Sequence, residues 1–114
     1  MSNDIEVSTR KKGDVAIIDI KGDVTALSGE TIEETYQQLI KEGSTKIVFV
    51  FDKNCYINSG GIAILISIVA ESQEHEQTIR VTGLSDHFQK IFDMVGLTRY
   101  LKIFPSEEAA LEGF

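Results

Sequence analysis

The segment Tyr56-Ile57-Asn58-Ser59-Gly60-Gly61-Ile62 brings a hydroxyl and two glycines to the point where the connection from an apolar strand enters an apolar helix. A helix N-terminus carries unpaired N–H groups and the positive end of the helix dipole, so it can stabilise a phosphate on a nearby serine or hold an anion directly. The plainer reading is that Ser59 is only an N-cap while Gly60 and Gly61 permit a tight turn. Nucleophilic catalysis by Ser59 would need a base and an orienting third group. The two histidines are poorly placed for that: His75 lies in the acidic run Glu74-His75-Glu76 and His87 early in a later helix, both expected to face solvent. The chain is therefore read as a binding module and not as an enzyme.

The elements that must position this segment follow from patterning. Ile5, Val7 and Thr9 alternate with polar residues, and Val15 to Ile20 is a β-branched run after the turn Lys12-Gly13-Asp14, so the chain opens as a hairpin. Ile32, Tyr36, Leu39 and Ile40 recur at helical spacing after Ser28-Gly29, and Gly43 stops that helix. Five consecutive apolar residues, Ile47 to Phe51, read as a central strand covered on both faces, with Lys53 to Asn58 as a connection. A helix from Ser59 to about Glu74, a strand Thr78 to Val81, and a helix capped by Ser85 with Phe88, Ile91, Phe92 and Val95 on one face come next. A short strand Leu101 to Phe104 and a terminal helix after Ser106 complete the chain. This alternation predicts one α/β domain over residues 1–114, with a mixed, mostly parallel sheet of about five strands and about four helices.

Placed at 100° steps, Ile62, Leu65, Ile66 and Val69 share the face expected on the sheet. Ala63, Ile64, Ser67 and Glu71 lie opposite, a small, partly apolar surface that reads as a docking face unless another helix covers it.

Bulk properties exclude several classes. A net charge of -7 repels phosphate backbones and anionic membrane surfaces, so no nucleic acid partner is expected. The longest apolar run, Ile62 to Ala70, is broken by Ser67 and falls short of the roughly 20 residues that span a bilayer, so no direct membrane insertion is expected. Met1-Ser2-Asn3-Asp4 lacks a signal-peptide pattern, and the single Cys55 fits a reducing compartment, so a cytoplasmic location is expected. Cys55 reads as a small buried residue and Glu71 to Glu76 as a solvated helix end. Metal-ligand spacing and a Walker-type run are both lacking, so no metal and no cofactor are expected.

At these residues the chain resembles the STAS family, whose signature follows the central strand and reads roughly Asp-Ser-Ser/Thr-Gly-Leu/Ile into an apolar helix. Gly22-Asp23-Val24 resembles the family's Gly-Glu-Leu turn. Val81-Thr82-Gly83-Leu84-Ser85 through Ile91-Phe92, Gly96-Leu97, Ile103-Phe104 and Ser106-Glu107-Glu108-Ala109 resembles its C-terminal half. The resemblance implies an anti-sigma factor antagonist that captures an anti-sigma factor acting also as a serine kinase, frees a sigma factor, and is released on phosphorylation. It implies a partner surface made of Asp23, Thr25, Asn58, Ser59, Gly60, Gly61, Ala63, Ile64 and Ser67.

Read through Gly61, the usual acceptor position is Gly60, Ser59 stands one residue early, and the preceding acid is Asn58. Thr25 and Val50 also stand where aspartate is frequent. The expectation is binding without phosphorylation control, or Ser59 as a displaced phosphoacceptor. A separate reading is an accessory subunit that docks on the ATPase of a membrane transport system.

Overall fold

The computed structural model describes residues 5–114; Met1 to Asp4, read above for a signal pattern, lie outside the described residues. The elements run β1 (Ile5–Lys12), β2 (Val15–Val24), α1 (Gly29–Lys41), β3 (Lys46–Phe51), β4 (Tyr56–Ile57), α2 (Ser59–Glu74), β5 (Thr78–Thr82), α3 (Asp86–Met94), a single 3-10 turn (Leu97–Arg99), β6 (Lys102–Phe104) and α4 (Glu107–Leu111). The sheet order is β1-β2-β3-β5-β6, with β1 antiparallel to β2 and every other pair parallel. The expected α/β architecture is thus observed, as one domain with four helices and a mixed sheet of six strands.

The sixth strand is the difference. Tyr56–Ile57, read as connection, lies parallel to the end of β2 with Asp23 opposite Tyr56 and Val24 opposite Ile57. Two residues are too few to show alternation in sequence. The same pairing makes Gly22-Asp23-Val24 the last stretch of β2 and not a turn after it, with Gly22 at φ 107° inside the strand.

Ala16, Ile18, Ile20, Ile47, Phe49, Phe51, Ile79 and Val81 form one sheet face, and α1, α2 and α3 cover it through Ile32, Tyr36, Leu65, Ile68, Phe88 and Phe92. Buried Tyr36 donates its hydroxyl to Gln77, whose amide donates to Ser44 O at 2.8 Å, so the one polar group α1 carries into this core is satisfied. On α3 the buried face holds Phe88 and Phe92 with Ile91 half-buried, whereas Val95 falls beyond the helix and is 44% exposed.

The opposite sheet face has a smaller apolar cluster of Val15, Ile17 and Val48 under Ala110 of α4. Arg10 ties α4 down: its guanidinium donates to both oxygens of Asp19 (2.7 and 3.0 Å) and to both of Glu107 (2.9 and 2.6 Å). Arg80 donates to the Ala110 and Glu112 carbonyls at 3.0 and 2.8 Å and lies over the Phe114 ring at 4.1 Å, closing the helix's C-terminal end. No helix among the described residues is long and apolar enough to cross a membrane.

Candidate functional site

Ligand sites in parallel sheets gather where strands end and helices begin. Here the ends of β2 and β4 meet the start of α2. Asp52 N donates to Ile20 O at 2.8 Å and Cys55 N to Asp52 O at 2.8 Å, so the chain leaving β3 turns back and lays β4 beside β2. Asn58 N then donates to Val24 O at 3.0 Å.

The cap of α2 is Asn58 and not Ser59: the Asn58 Oδ1 accepts from Gly61 N at 2.9 Å, and its carbonyl accepts from Ile62 N at 2.9 Å. Ser59 is the first helical residue, exposed, and its hydroxyl makes no hydrogen bond among the described residues. The expected turn role of Gly60 and Gly61 also changes. Neither has a positive φ. Glycine is required because the backbone approaches so closely: a Cβ on Gly61 would lie 2.3 Å from Val24 O, and one on Gly60 would lie 2.8 Å from Ala26 Cβ and 2.9 Å from Ala26 N.

The second wall of the site is the β2–α1 loop, Thr25 to Ser28. Thr25 N donates to Ser28 Oγ at 2.8 Å and Ser28 N to Thr25 Oγ1 at 3.1 Å. Thr25 Oγ1 donates to Ser28 Oγ at 3.1 Å, and Ser28 Oγ donates to Asp23 O at 2.6 Å. Gly29 N to Thr25 O at 2.7 Å closes the loop. The buried Ser28 hydroxyl thus serves this knot and does not cap α1. Ala26 rests on Gly60, and Leu27 projects from the loop at 79% exposure.

Along α2 the sheet-facing residues are Gly61, Leu65, Ile68, Val69 and Ser72. Two positions depart from the expected faces. Ile66, placed on the sheet, is exposed, while Ile64, placed on the docking face, is half-buried, with its Cδ1 only 2.7 Å from where a Gly29 Cβ would stand. Glu71, half-buried on the same side, accepts from Gln37 of α1 at 2.8 Å. Helix α1 therefore covers the Ile64–Glu71 side, and the open stripe is Ala63, Ile66, Ser67 and Ala70. No charged side chain occurs between Ser59 and Glu71. Ile66 and Ala70 continue into a groove of about 340 Å³ shared with Val69, Val95, Leu97 and Tyr100.

Of the residues the sequence singled out, the structure brings Asn58, Ser59, Gly60, Gly61, Asp23 and Thr25 to one place, with Ala63 and Ser67 running away from it along α2. Asp23 is exposed beside Tyr56, whose half-exposed ring meets Phe88 edge-on at 5.9 Å between centroids. Val50 lies on the other sheet face, with the α4 cluster and apart from this site. Leu27, Tyr56 and Ile66, given no site role by the sequence reading, are exposed large apolar residues beside it. Tyr56 carries the one legible signal, a large aromatic residue inside the expected Lys53 to Asn58 connection.

The histidines stand away from the Ser59 hydroxyl or are engaged elsewhere. His75 follows the far end of α2, about 24 Å from Ser59 along a 16-residue helix, and His87 is packed on Phe88 at 4.8 Å. Burial, then the charges of Asp52 and Asp23, push the Cys55 thiol up to about 11, and its Sγ donates to Gly22 O at 2.9 Å. It is a protonated structural group at neutral pH. Among the described residues no three His, Cys, Asp or Glu side chains stand together to hold a metal ion.

A family model described as the STAS domain matches residues 6–110. An anti-sigma factor antagonist from Mycobacterium paratuberculosis is similar in structure, with a TM-score of 0.80, 14% identity, and coverage of 94% of this chain and 91% of that one. The Bacillus cell fate determinant SpoIIAA in its phosphorylated form is similar with a TM-score of 0.66, 16% identity, and coverage of 91% and 96%. The anti-sigma factor antagonist SpoIIAA in its unphosphorylated form is similar at 0.71, with 15% identity and coverage of 94% and 96%.

Proposed function

The chain belongs to the STAS domain family, and from that premise we propose that it is an anti-sigma factor antagonist: a non-enzymatic cytoplasmic module that binds an anti-sigma factor/serine kinase and so releases a sigma factor for transcription. The observation that carries this is the uncharged, exposed α2 stripe beginning at an open helix entrance, Ser59, Ala63, Ile66 and Ser67, flanked by the rigid Thr25–Ser28 loop. A low-charge face with exposed Leu27, Tyr56 and Ile66 has the composition of a protein-binding surface core. Two similar structures are described as anti-sigma factor antagonists, which supports the same role here.

The partner surface is Asp23, Thr25, Asn58 to Gly61, Ala63 and Ser67, with Leu27, Tyr56 and Ile66 added. Ile64 contributes by seating α2 on α1 and not by direct contact. Binding is not ended by phosphorylation at position 60, where no hydroxyl exists.

Capture from the native cytoplasm with wild type and Ser67→Glu, followed by calorimetry on the purified pair, tests the reading. A serine kinase of the anti-sigma class held by wild type and lost by Ser67→Glu supports it; recovery of a transport ATPase in its place refutes it in favour of the accessory-subunit reading. Incubation with that kinase and ATP is expected to leave the intact mass unchanged. One added phosphate that Ser59→Ala abolishes would instead make Ser59 a displaced acceptor.

A further inference from the structure

Two departures from the family signature, Thr25 and Gly60, lie on opposite sides of one contact. Resting on the reading of position 60 as the family's acceptor position, we propose that they form a single interlock: Thr25 staples the β2–α1 loop so that Ala26 fills the volume an acceptor side chain at position 60 would need. A serine introduced at position 60 alone therefore finds no room unless the loop gives way.

Both walls of the contact are fixed. On the loop side, Ala26 is held between Thr25 and Ser28, whose side chains and amides make three mutual hydrogen bonds of 2.8 to 3.1 Å. Two of these use the Thr25 hydroxyl. On the helix side, α2 is pinned by the Asn58 cap at 2.9 Å and by Gly61 lying flat on the Val24 carbonyl. A Cβ at position 60 would stand 2.8 Å from Ala26 Cβ, 2.9 Å from its nitrogen and 3.2 Å from its Cα, so turning one side chain aside cannot make room. The loop itself must recede, and the Thr25 hydroxyl makes two of the bonds that resist this. A glycine without positive φ inside a helix is otherwise disfavoured, which makes the steric reason for Gly60 the informative one.

Thermal unfolding of the full chain tests this without any partner, so the interlock can stand or fall independently of the antagonist reading. Gly60→Ser is measured in wild type, in Thr25→Ser, which keeps the hydroxyl, and in Thr25→Val, which removes it at similar volume. The expected result is a Tm lowered by about 4 °C or more in the first two backgrounds and by less than half as much in Thr25→Val. Ala26→Gly, which deletes the 2.8 Å contact directly, recovers part of the loss as a separate background. An unchanged or raised Tm for Gly60→Ser, as helix propensity alone demands, overturns the proposal. So does an equal loss in every background.

Discussion

Replacing Gly61 by alanine sets two physical effects of opposite sign against each other. Alanine in a helix is favoured over glycine by about 1 kcal/mol, so local propensity predicts a more stable protein. The structure predicts the reverse, because the new Cβ would sit 2.3 Å from Val24 O and 2.8 Å from Val24 C, roughly 1 Å inside ordinary contact. Val24 cannot retreat cheaply: it is fully buried, its carbonyl accepts from Asn58 N at 3.0 Å, and it pairs with Ile57. If α2 moves away instead, the Asn58 cap on Gly61 N at 2.9 Å is strained. Overpacking of this kind costs about 1–3 kcal/mol, and each weakened hydrogen bond or cap adds about 1 kcal/mol. After subtracting the propensity gain, the net loss is about 2 kcal/mol. Urea unfolding followed by circular dichroism reads this as a midpoint about 1 M lower, for a slope near 2 kcal/mol/M. Gly96→Ala is the control: its φ of 86° is unfavourable but nothing lies within 4 Å, so it loses only about 1–2 kcal/mol from backbone strain. A Gly61→Ala midpoint at or above wild type would refute the close-approach reasoning, and with it the account of how the site is built.

Ile64→Glu and Ser67→Glu, three residues apart on α2, should fail differently: the first lowers stability by about 2 kcal/mol because Ile64 is wedged on Gly29, the second leaves the melt unchanged and weakens partner binding at least tenfold. Equal melting temperatures for the two would place Ile64 on the surface after all. Cys55 should resist alkylation in the folded protein at pH 8 and react at the rate of a free thiol only in denaturant, as intact-mass spectrometry or dye labelling can follow; prompt native labelling would contradict its burial and raised pKa. Arg10 holds the Glu107 carboxyl below the usual carboxylate range, so the stability this contact adds is present above the unfolded pKa of about 4.3 and is lost as pH falls through the lower folded value. Arg10→Ala should therefore lower stability by about 1 kcal/mol at pH 7 and much less at pH 2, in a pair of urea melts; an equal loss at both would assign Arg10's role to packing alone.

Much of the architecture was legible because each element had a single competing pattern. Ile47 to Phe51 is an unbroken apolar run, and its strand is buried at Ile47, Val48, Phe49 and Phe51, while Ile32, Tyr36 and Leu39 keep helical spacing and are all buried. The faces of α2 were not legible in this way. That helix is apolar on nearly every side from Ile62 to Ala70, so periodicity could not say whether Ile64 or Ile66 meets the core. The position of α1 decided it, because α1 packs directly on α2 through Gly29 against Ile64 and Gln37 against Glu71.

The sequence alone determined the α/β order, the place where a central strand feeds α2, and the absence of charge from Ser59 to Ala70 of that helix, because each is a property of neighbouring residues. Tertiary structure decided the rest. Asn58 rather than Ser59 caps α2 because β4 pairs with β2 and turns the Asn58 side chain toward Gly61. Gly60 and Gly61 are glycines because residues 24 to 26, more than thirty positions earlier, press against them. A contact between distant segments leaves no periodic trace in either one, so only the folded chain reveals why those residues are what they are.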